Sequence, residues 1–371
     1  MPTSTPHHPE DAHFMARAIR LAENGLNTTT PNPRVGCVLV KDGAVVGEGW
    51  HEKAGGPHAE IFALSQAGTA AAGATAYVSL EPCSHHGRTP PCADALIAAG
   101  VVRVVAAMAD PNPLVAGQGL ATLRAAGIAS EAGLLATAAE ALNPGFCKRM
   151  KTGRPWLFSK LAMSLDGRTA MASGESRWIT GPDARRDVHR LRARSCAILT
   201  GIETVLADDP ALTVRLHGDA ETARQPARVV LDSRFRLPPS AKILALPGRT
   251  LVFGLETAAR AAEPLRALGA EIHLLPPGPD GRPDLHATLD LLGQLQFNEV
   301  MVETGAILNG ALLREGLVDE WIVYLAPCIL GDKGRGLFHL PELELMADCY
   351  AMRLHETRQI GKDLRLTLRP S

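Results

Sequence analysis

Apolar positions recur along this chain with two different periods. Phe14, Ala18 and Leu21 fall on one helical face, with Met15, Ile19 and Ala22 beside it. That spacing predicts a helix over 11–22. Residues 35–41 and 44–50 read as strands joined by Asp42-Gly43, a hairpin signal. Pro57 opens a predicted helix from about 58 to 66. A buried strand at 75–80, a helix at 91–99 ended by Gly100, a strand at 101–108, a helix at 117–126 and a short strand near 128–132 follow. This strand–helix alternation predicts a three-layer α/β unit.

The segment 143–155 (NPGFCKRMKTGRP) is polar, with Gly and Pro at both ends, and marks a candidate boundary. It divides a first domain, 1–148, from a second, 149–371. The second starts afresh with a strand at 156–164. Further strands are predicted at 196–201, 227–233, 250–254, 270–276, 299–304, 320–327, 350–357 and 363–369. Helical patterns lie near 182–193, 257–268, 285–294 and 307–315. The last two strands have no helix between them, so a mixed sheet is expected.

Composition narrows the class. The chain has 371 residues, 46% apolar and 21% charged, enough for two cores in an ordinary globular protein. No apolar run reaches the ~18 residues of a membrane span, and the N-terminus lacks a basic region followed by an apolar one. A cytoplasmic address follows as the expectation, with no membrane partner. Residues 1–150 carry 10 Lys+Arg against 12 Asp+Glu, a net of -2, and residues 151–371 carry 28 against 27, a net of +1. Neither half is a basic polyanion binder, so no nucleic-acid partner is expected. Seven Cys scattered over the chain do not form a disulfide framework, and purposeful spacings among them are tested first as metal ligands.

One such spacing exists. His58-Ala59-Glu60 is followed by Pro82-Cys83 and then Cys92. A His and two thiolates fill three positions of a tetrahedral zinc and leave the fourth for water, the pattern of a catalytic site. Glu60, on the first turn of a helix, can sit beside the metal without binding it and carry protons. Pro90-Pro91 place Cys92 at a helix start, where a thiolate is favoured. Zinc deaminases of nucleobases share His-x-Glu and Pro-Cys but separate their thiols by two residues; here eight intervene. Cys37 reads as a small core residue on a strand.

The flanking residues account for the difference. Thr30-Pro31-Asn32-Pro33-Arg34-Val35-Gly36-Cys37-Val38, the stretch from Glu81 to Cys92 and Ala109-Asp110-Pro111-Asn112-Pro113 together closely resemble the deaminase half of the bifunctional riboflavin-biosynthesis deaminase/reductases of the RibD type. The long insert between the two thiols is similar, and the resemblance extends over essentially the whole chain. It implies a cytidine-deaminase-like first domain in which His58, Cys83 and Cys92 bind zinc and Glu60 shuttles protons. It further implies that Asn32 and His51 approach the pyrimidine or the site wall, and that Arg88, Asp110 and Asn112 hold the ribose phosphate arm. The implied substrate is 2,5-diamino-6-(5-phosphoribosylamino)pyrimidin-4-one, which loses its 2-amino group to a zinc-activated water.

In the second half no Gly-x-Gly-x-x-Gly follows a strand, which argues against a Rossmann unit. Residues 160–168, the Gly-rich 173–181, residues 200–210 and Val302-Glu303-Thr304-Gly305 instead resemble the reductase half of the same family. That half shares its fold with dihydrofolate reductase and uses NADPH. By resemblance, Ala162, Trp178, Thr204, Asp208, Ser233 and the segment Gly305, Ala306, Ile307 and Leu308 line the cofactor site. Ser176, Arg192, Leu212, Arg215 and Glu303 line the substrate site. Arg192 and Arg215 are physically plausible phosphate partners, and Lys160 and Asp208 are candidates for polar assistance. Reduction of 5-amino-6-(5-phosphoribosylamino)uracil to its ribityl form is the implied second step, and a homodimer or homotetramer built through the reductase halves the implied assembly. A rival expectation is a nucleic-acid-editing zinc deaminase with a binding appendage, against which the flat charge and the 4% aromatic content weigh. A non-catalytic zinc scaffold is disfavoured by Glu60 and the three-ligand count.

Overall fold

The computed structural model describes residues 9–84, 90–216 and 224–371. The chain divides into two compact units, Met1–Gly153 and Arg154–Ser371.

The first unit holds strands β1 (Gly36–Lys41), β2 (Ala44–Trp50), β3 (Thr75–Val78), β4 (Arg103–Ala106) and β5 (Ala129–Ala132). Its helices are α1 (Asp11–Ala22), α2 (Ala59–Ala67), α3 (Cys92–Ala98), α4 (Gln118–Ala125), α5 (Ala136–Leu142) and α6 (Pro144–Thr152). The sheet order is β2-β1-β3-β4-β5, antiparallel at β1/β2 and β1/β3 and parallel from β3 to β5. The β1–β2 hairpin closes on Asp42 and Gly43, both at positive φ (51° and 75°), the twist-compatible turn that Asp-Gly favours. Strand alternation then builds three layers. Val38 and Val40 pack with Phe14, Met15, Ala139 and Cys147 on one face, while Cys37 and Leu39 pack with Ala59, Ala63, Leu96 and Leu123 on the other.

The second unit carries β6 (Trp156–Ser164), β7 (Arg168–Ala170), β8 (Ala197–Gly201), β9 (Ala227–Leu231), β10 (Thr250–Leu255), β11 (Glu271–Leu275), β12 (Glu299–Val302), β13 (Glu320–Ala326), β14 (Arg335–Gly336), β15 (Met352–Ile360) and β16 (Asp363–Pro370). Between them lie α7 (Pro182–Arg194), α8 (Ile202–Asp208), α9 (Lys242–Ala245), α10 (Glu263–Ala267), α11 (Leu285–Gln294) and α12 (Ala306–Arg314). Nine strands order as β11-β10-β9-β8-β12-β6-β13-β16-β15, and β7 pairs separately with β14. All nine-strand pairings are parallel except β13/β16 and β15/β16, so the expected mixed sheet is present. The parallel strands are apolar on both faces, as helices on both sides require. Leu199 and Val302 point into the core beneath α11 and α12, whereas Ile198 and Met301 point to the opposite cores.

The polar segment at the sequence-drawn boundary is largely α6. Pro144 starts it, Gly153 closes it in the left-handed region, and Cys147 is buried in the first unit's core. The division therefore falls at 153/154. The pattern at 257–268 forms a 3-10 turn (Glu256–Ala262) followed by α10; Pro264, which has no N–H, sits at the start of α10.

Candidate functional site

In the first unit, α2 is held against β2 by close backbone contact. A Cβ at Gly49 would lie 2.8 Å from the Ala59 carbonyl oxygen and 2.4 Å from Phe62 Cβ, so only glycine lets strand and helix approach this far. His58 is the extended N-cap of α2 (φ -77°, ψ 163°) and Glu60 occupies the first turn. Cys83 lies in the segment that leaves β3, and Cys92 begins α3 behind Pro91. The Cys92 N–H donates to Cys83 Sγ at 3.3 Å.

These elements bring three donors together. His58 Nδ1 is 3.2 Å from Cys92 Sγ and 3.6 Å from Cys83 Sγ, and the three atoms all lie within 4.8 Å of one another. Tetrahedral zinc, with bonds of ~2.05 Å to nitrogen and ~2.3 Å to sulfur, needs N···S edges of ~3.6 Å, so the donor set fits the ion. The Cys83 thiol is pushed down to about 4, first by the neighbouring Cys92 thiol and then by His58, and the same pairing pushes Cys92 up. Glu60 is 3% exposed, and its Oε2 has no hydrogen-bond partner among the described residues. Burial raises this carboxyl, against the opposing pull of His58. A buried acceptor oxygen without a donor beside three metal-type donors suits a group that exchanges protons with a reacting molecule.

The remaining first-unit residues surround this centre unequally. His51 is buried; its Nδ1 donates to the Pro57 carbonyl oxygen (2.9 Å) and its Nε2 accepts from Asn32 Nδ2 (3.1 Å). Its ring meets that of His58 edge to face at 5.5 Å. Burial, with His58 nearby, lowers its pKa, and the two hydrogen bonds fix one neutral tautomer. Asp110 and Asn112 belong to one loop, in which the Asn112 N–H donates to Asp110 Oδ1 (2.8 Å). Arg88 lies outside the described residues, as do His85 and His86. Cys37 is fully buried on β1.

In the second unit a cavity of about 1450 Å³ opens at the C-terminal ends of the parallel strands, the usual ligand position in such sheets. It is lined by Lys160 and Ala162 from β6, by Ser176 and Trp178 from the loop before α7, and by Arg192 from α7. Thr204 and Asp208 from α8 line it too, with Leu212 and Arg215 beyond that helix and Ser233 beyond β9. Glu303 follows β12, and Gly305, Ala306, Ile307 and Leu308 open α12 along the same wall. A Cβ at Gly305 would meet nothing within 4 Å, so the turn presents free space and helix N–H groups toward the cavity. A pyrophosphate fits such a cradle. Asn309 holds the turn from behind: its Nδ2 donates to the Thr304 carbonyl oxygen (3.0 Å), and its Oδ1 accepts from Ser159 (2.7 Å).

The charges in this cavity are organised around Glu303. Arg192 grips it with two bonds, Nε to Oε1 at 2.6 Å and Nη2 to Oε2 at 2.9 Å, and gives Nη1 to the Thr213 carbonyl oxygen at 3.0 Å. The guanidinium is thus largely committed within the protein, while Arg215 stays exposed. Burial pushes Glu303 up, but Arg192 outweighs it and holds the carboxyl below its ordinary value. Burial, reinforced by Arg192, lowers Lys160. His189, on α7, accepts the Arg215 N–H on Nδ1 (3.2 Å) and is pushed down to about 4 by burial, then by Arg192 and Arg215. Sequence reasoning missed His189, Asn309, Glu81 and Gly119. Glu81, directly before Pro82-Cys83, and Asn309, directly after the 305–308 segment, stood beside recognised stretches.

A three-donor metal corner beside a buried carboxylate, on one unit, and a cavity at strand ends with a glycine turn, on the other, define the class: a zinc deaminase joined to a nucleotide-dependent reductase. The family model for the cytidine and deoxycytidylate deaminase zinc-binding region matches residues 8–108, and that for the RibD C-terminal domain matches 155–366. The riboflavin biosynthesis protein RibD of Escherichia coli is 55% identical over 97% of this chain and 99% of its own, and that of Haemophilus influenzae is 51% identical over 97% and 98%. A solved structure of Acinetobacter baumannii RibD superposes with a TM-score of 0.91 at 51% identity, covering 98% of this chain and 99% of that one. A Thermotoga maritima diaminohydroxyphosphoribosylaminopyrimidine deaminase/5-amino-6-(5-phosphoribosylamino)uracil reductase gives 0.86 at 33% identity, covering 99% and 100%.

The chain belongs to the RibD family. It is a bifunctional enzyme of riboflavin biosynthesis, with a zinc-dependent deaminase unit of the cytidine-deaminase class and an NADPH-dependent reductase unit of the dihydrofolate-reductase class. The rival expectation of a nucleic-acid-editing deaminase finds no support, because the second half matches the family's own reductase domain. Among the described residues no helix is long and apolar enough to cross a membrane.

Proposed function

We propose that the first unit removes the 2-amino group of 2,5-diamino-6-(5-phosphoribosylamino)pyrimidin-4-one, and that the second reduces the ribosyl group of 5-amino-6-(5-phosphoribosylamino)uracil to ribityl. The observation that carries the reading is the convergence of His58 Nδ1, Cys83 Sγ and Cys92 Sγ beside the unpartnered Glu60 Oε2. When bound, zinc supplies Lewis acidity and a water of lowered pKa, and NADPH supplies hydride. Glu60 carries one proton of the attacking water to the ring nitrogen and the other to the departing amino nitrogen, which leaves C2 as a carbonyl. The C2–O bond forms, the C2–N bond breaks and ammonia leaves. His51 and Asn32 wall the pyrimidine, and Asp110, Asn112 and Arg88 hold the ribose phosphate.

In the second unit, Ala162, Trp178, Thr204, Asp208, Ser233 and the 305–308 turn would hold NADPH. Substrate meets Ser176, Leu212, Arg215 and the Arg192–Glu303 pair, which would present the anomeric carbon of the ring-opened imine to the hydride that NADPH supplies, the imine nitrogen taking a proton. Arg215, exposed at the cavity, is the better phosphate partner, since Arg192 is occupied by Glu303. Lys160, lowered by burial, supplies polar assistance. The same reading makes the protein a cytoplasmic homodimer or homotetramer that acts on small molecules and has no nucleic-acid partner. Seven cysteines without a disulfide support a reducing compartment.

Glu60→Gln tests the assignment. Zinc content should stay at the parental value while ammonia release falls by about 10²–10⁴-fold, and reduction of supplied deaminated substrate should continue. A variant that deaminates at the parental rate removes Glu60 from its role.

A further inference from the structure

Between β3 and the metal ligand Cys83 lies a carboxylate that none of the chemistry above uses. Glu81 is 5% exposed. Its Oε2 accepts the N–H of Asp110 (3.0 Å) and of Gly117 (2.9 Å), and its Oε1 accepts the N–H of Leu120 (3.2 Å). Its own N–H donates to the Met108 carbonyl oxygen (2.9 Å). Three backbone donors from a loop and a helix start thus converge on one side chain, two residues before a ligand thiol. The next residue is clamped from the other direction, because a Cβ at Gly119 would lie 1.9 Å from the Pro82 carbonyl oxygen.

We infer that Glu81 is a positioning residue of the deaminase, tying the Asp110–Asn112 loop and the start of α4 to the backbone that delivers Cys83. The inference rests on the reading in which that loop holds the substrate's ribose phosphate arm. Both carboxylate oxygens are occupied by backbone, so Glu81 acts through the loop. The order it imposes propagates along a chain of bonds. Asp110, held at its N–H, accepts from the Asn112 N–H through Oδ1 (2.8 Å), and Asn112 Oδ1 in turn accepts from Leu114 N–H (3.1 Å). A carboxylate suits three donors because it accepts at both oxygens, and charge strengthens each bond. A Gln amide can serve Asp110 and Gly117 with its oxygen, but its NH2 then faces the Leu120 N–H, donor against donor.

The test is Glu81→Gln in the full chain, with Asn112→Ala and the double variant. Deamination is resolved into kcat and KM, zinc is measured per chain, and reduction by the second unit serves as the internal measure of intact protein. Glu81→Gln should keep its zinc and a kcat within about threefold of the parent, while KM for the diaminopyrimidine phosphate rises about tenfold or more. In the Asn112→Ala background the same change should raise KM by less than about threefold, since both act on one loop. Should Glu81→Gln lose the fold of the first unit, Glu81→Asp, which keeps the charge but is one methylene too short for all three donors, should show the same KM effect. An unchanged KM with zinc intact, or loss of zinc and kcat in proportion at constant KM, overturns the inference. Asn112→Ala raising KM while Glu81→Gln does not sinks the inference alone. Asn112→Ala without effect sinks the loop's substrate role and the inference with it.

Discussion

Gly119→Ala should damage deamination without a change to any residue that touches substrate or metal. Gly119 lies on the first turn of α4. A Cβ at this position would sit 1.9 Å from the Pro82 carbonyl oxygen, 3.1 Å from the Pro82 carbonyl carbon and 3.2 Å from Glu81 Cγ. Real Cβ contacts essentially never fall below 3.0 Å, so helix and loop must part by at least about 1.1 Å. The helix cannot simply drift outward: Leu120 and Leu123 are buried in the first unit, and the Gly117 and Leu120 N–H groups are bonded to Glu81. The strain therefore passes to Pro82 and to Cys83 beside it. A zinc ligand tolerates only ~0.2 Å of misplacement, and a shift of ~1 Å in a reacting site costs about 10²-fold in rate. Ammonia release should fall by that amount and zinc affinity by about 10–100-fold, whereas NADPH oxidation by the second unit should be unchanged. The assays belong below the melting transition of the first unit, because overpacking also costs about 1–3 kcal/mol. A variant with parental ammonia release and parental zinc affinity would show that the α4–Pro82 contact does not govern the metal loop.

Glu303→Gln leaves Arg192 buried opposite a neutral amide; both side chains are nearly enclosed, at 13% and 12% exposure. Breaking such a pair costs about 3–5 kcal/mol, so calorimetry should show the second unit melting at least about 6 °C lower, with reduction lost and deamination kept. Acid should act on the second unit through His189. Its folded pKa, about 4, lies below the ordinary 6.5, so the stability this ring contributes is complete above pH 6.5 and is lost as pH falls from 6.5 toward 4, where only the unfolded chain takes the proton. The nominal ~3 kcal/mol shrinks to about 1–2 for a ring this open to solvent, and denaturant titrations of His189→Gln should lack that part of the acid loss. An identical pH dependence in parent and variant would contradict the assignment.

How far the fold could be read depended on whether one segment carried its own signal. The hairpin at Asp42-Gly43 did, because its turn type demands two positive φ values that this dipeptide accepts. The central parallel strands β8, β9 and β12 did, because their apolar runs are short and buried. Residues 143–155 read as a boundary because their composition is polar, and the division does fall inside them, at 153/154, but most of the segment is helix. Yet Asn143 is buried there, accepting the Arg34 N–H on Oδ1 (2.8 Å) and donating from Nδ2 to the Arg34 carbonyl oxygen (2.9 Å). A contact across more than a hundred residues has no local trace. Pro144 and Gly153, at the two ends of α6, were the available clues to a helix.

The two sites differ in the same way. Zinc demands particular donor types in a compact geometry, so His58, Cys83 and Cys92 announce themselves by chemistry and spacing even though eight residues separate the thiols in sequence. The reductase cavity has no such vocabulary. Its walls come from the C-terminal ends of strands far apart in sequence, and a side chain's role is decided by what meets it there. Arg192 and Arg215 are alike as residues, but one is tied to Glu303 and the other stands exposed at the cavity. His189 is one more polar residue on an arginine-rich helix until the fold brings it into the field of Arg192 and Arg215. Charges in that cavity therefore act as a set: removing Glu303 frees Arg192, raises the positive field on His189 and Lys160, and alters the whole surface offered to a phosphorylated ligand.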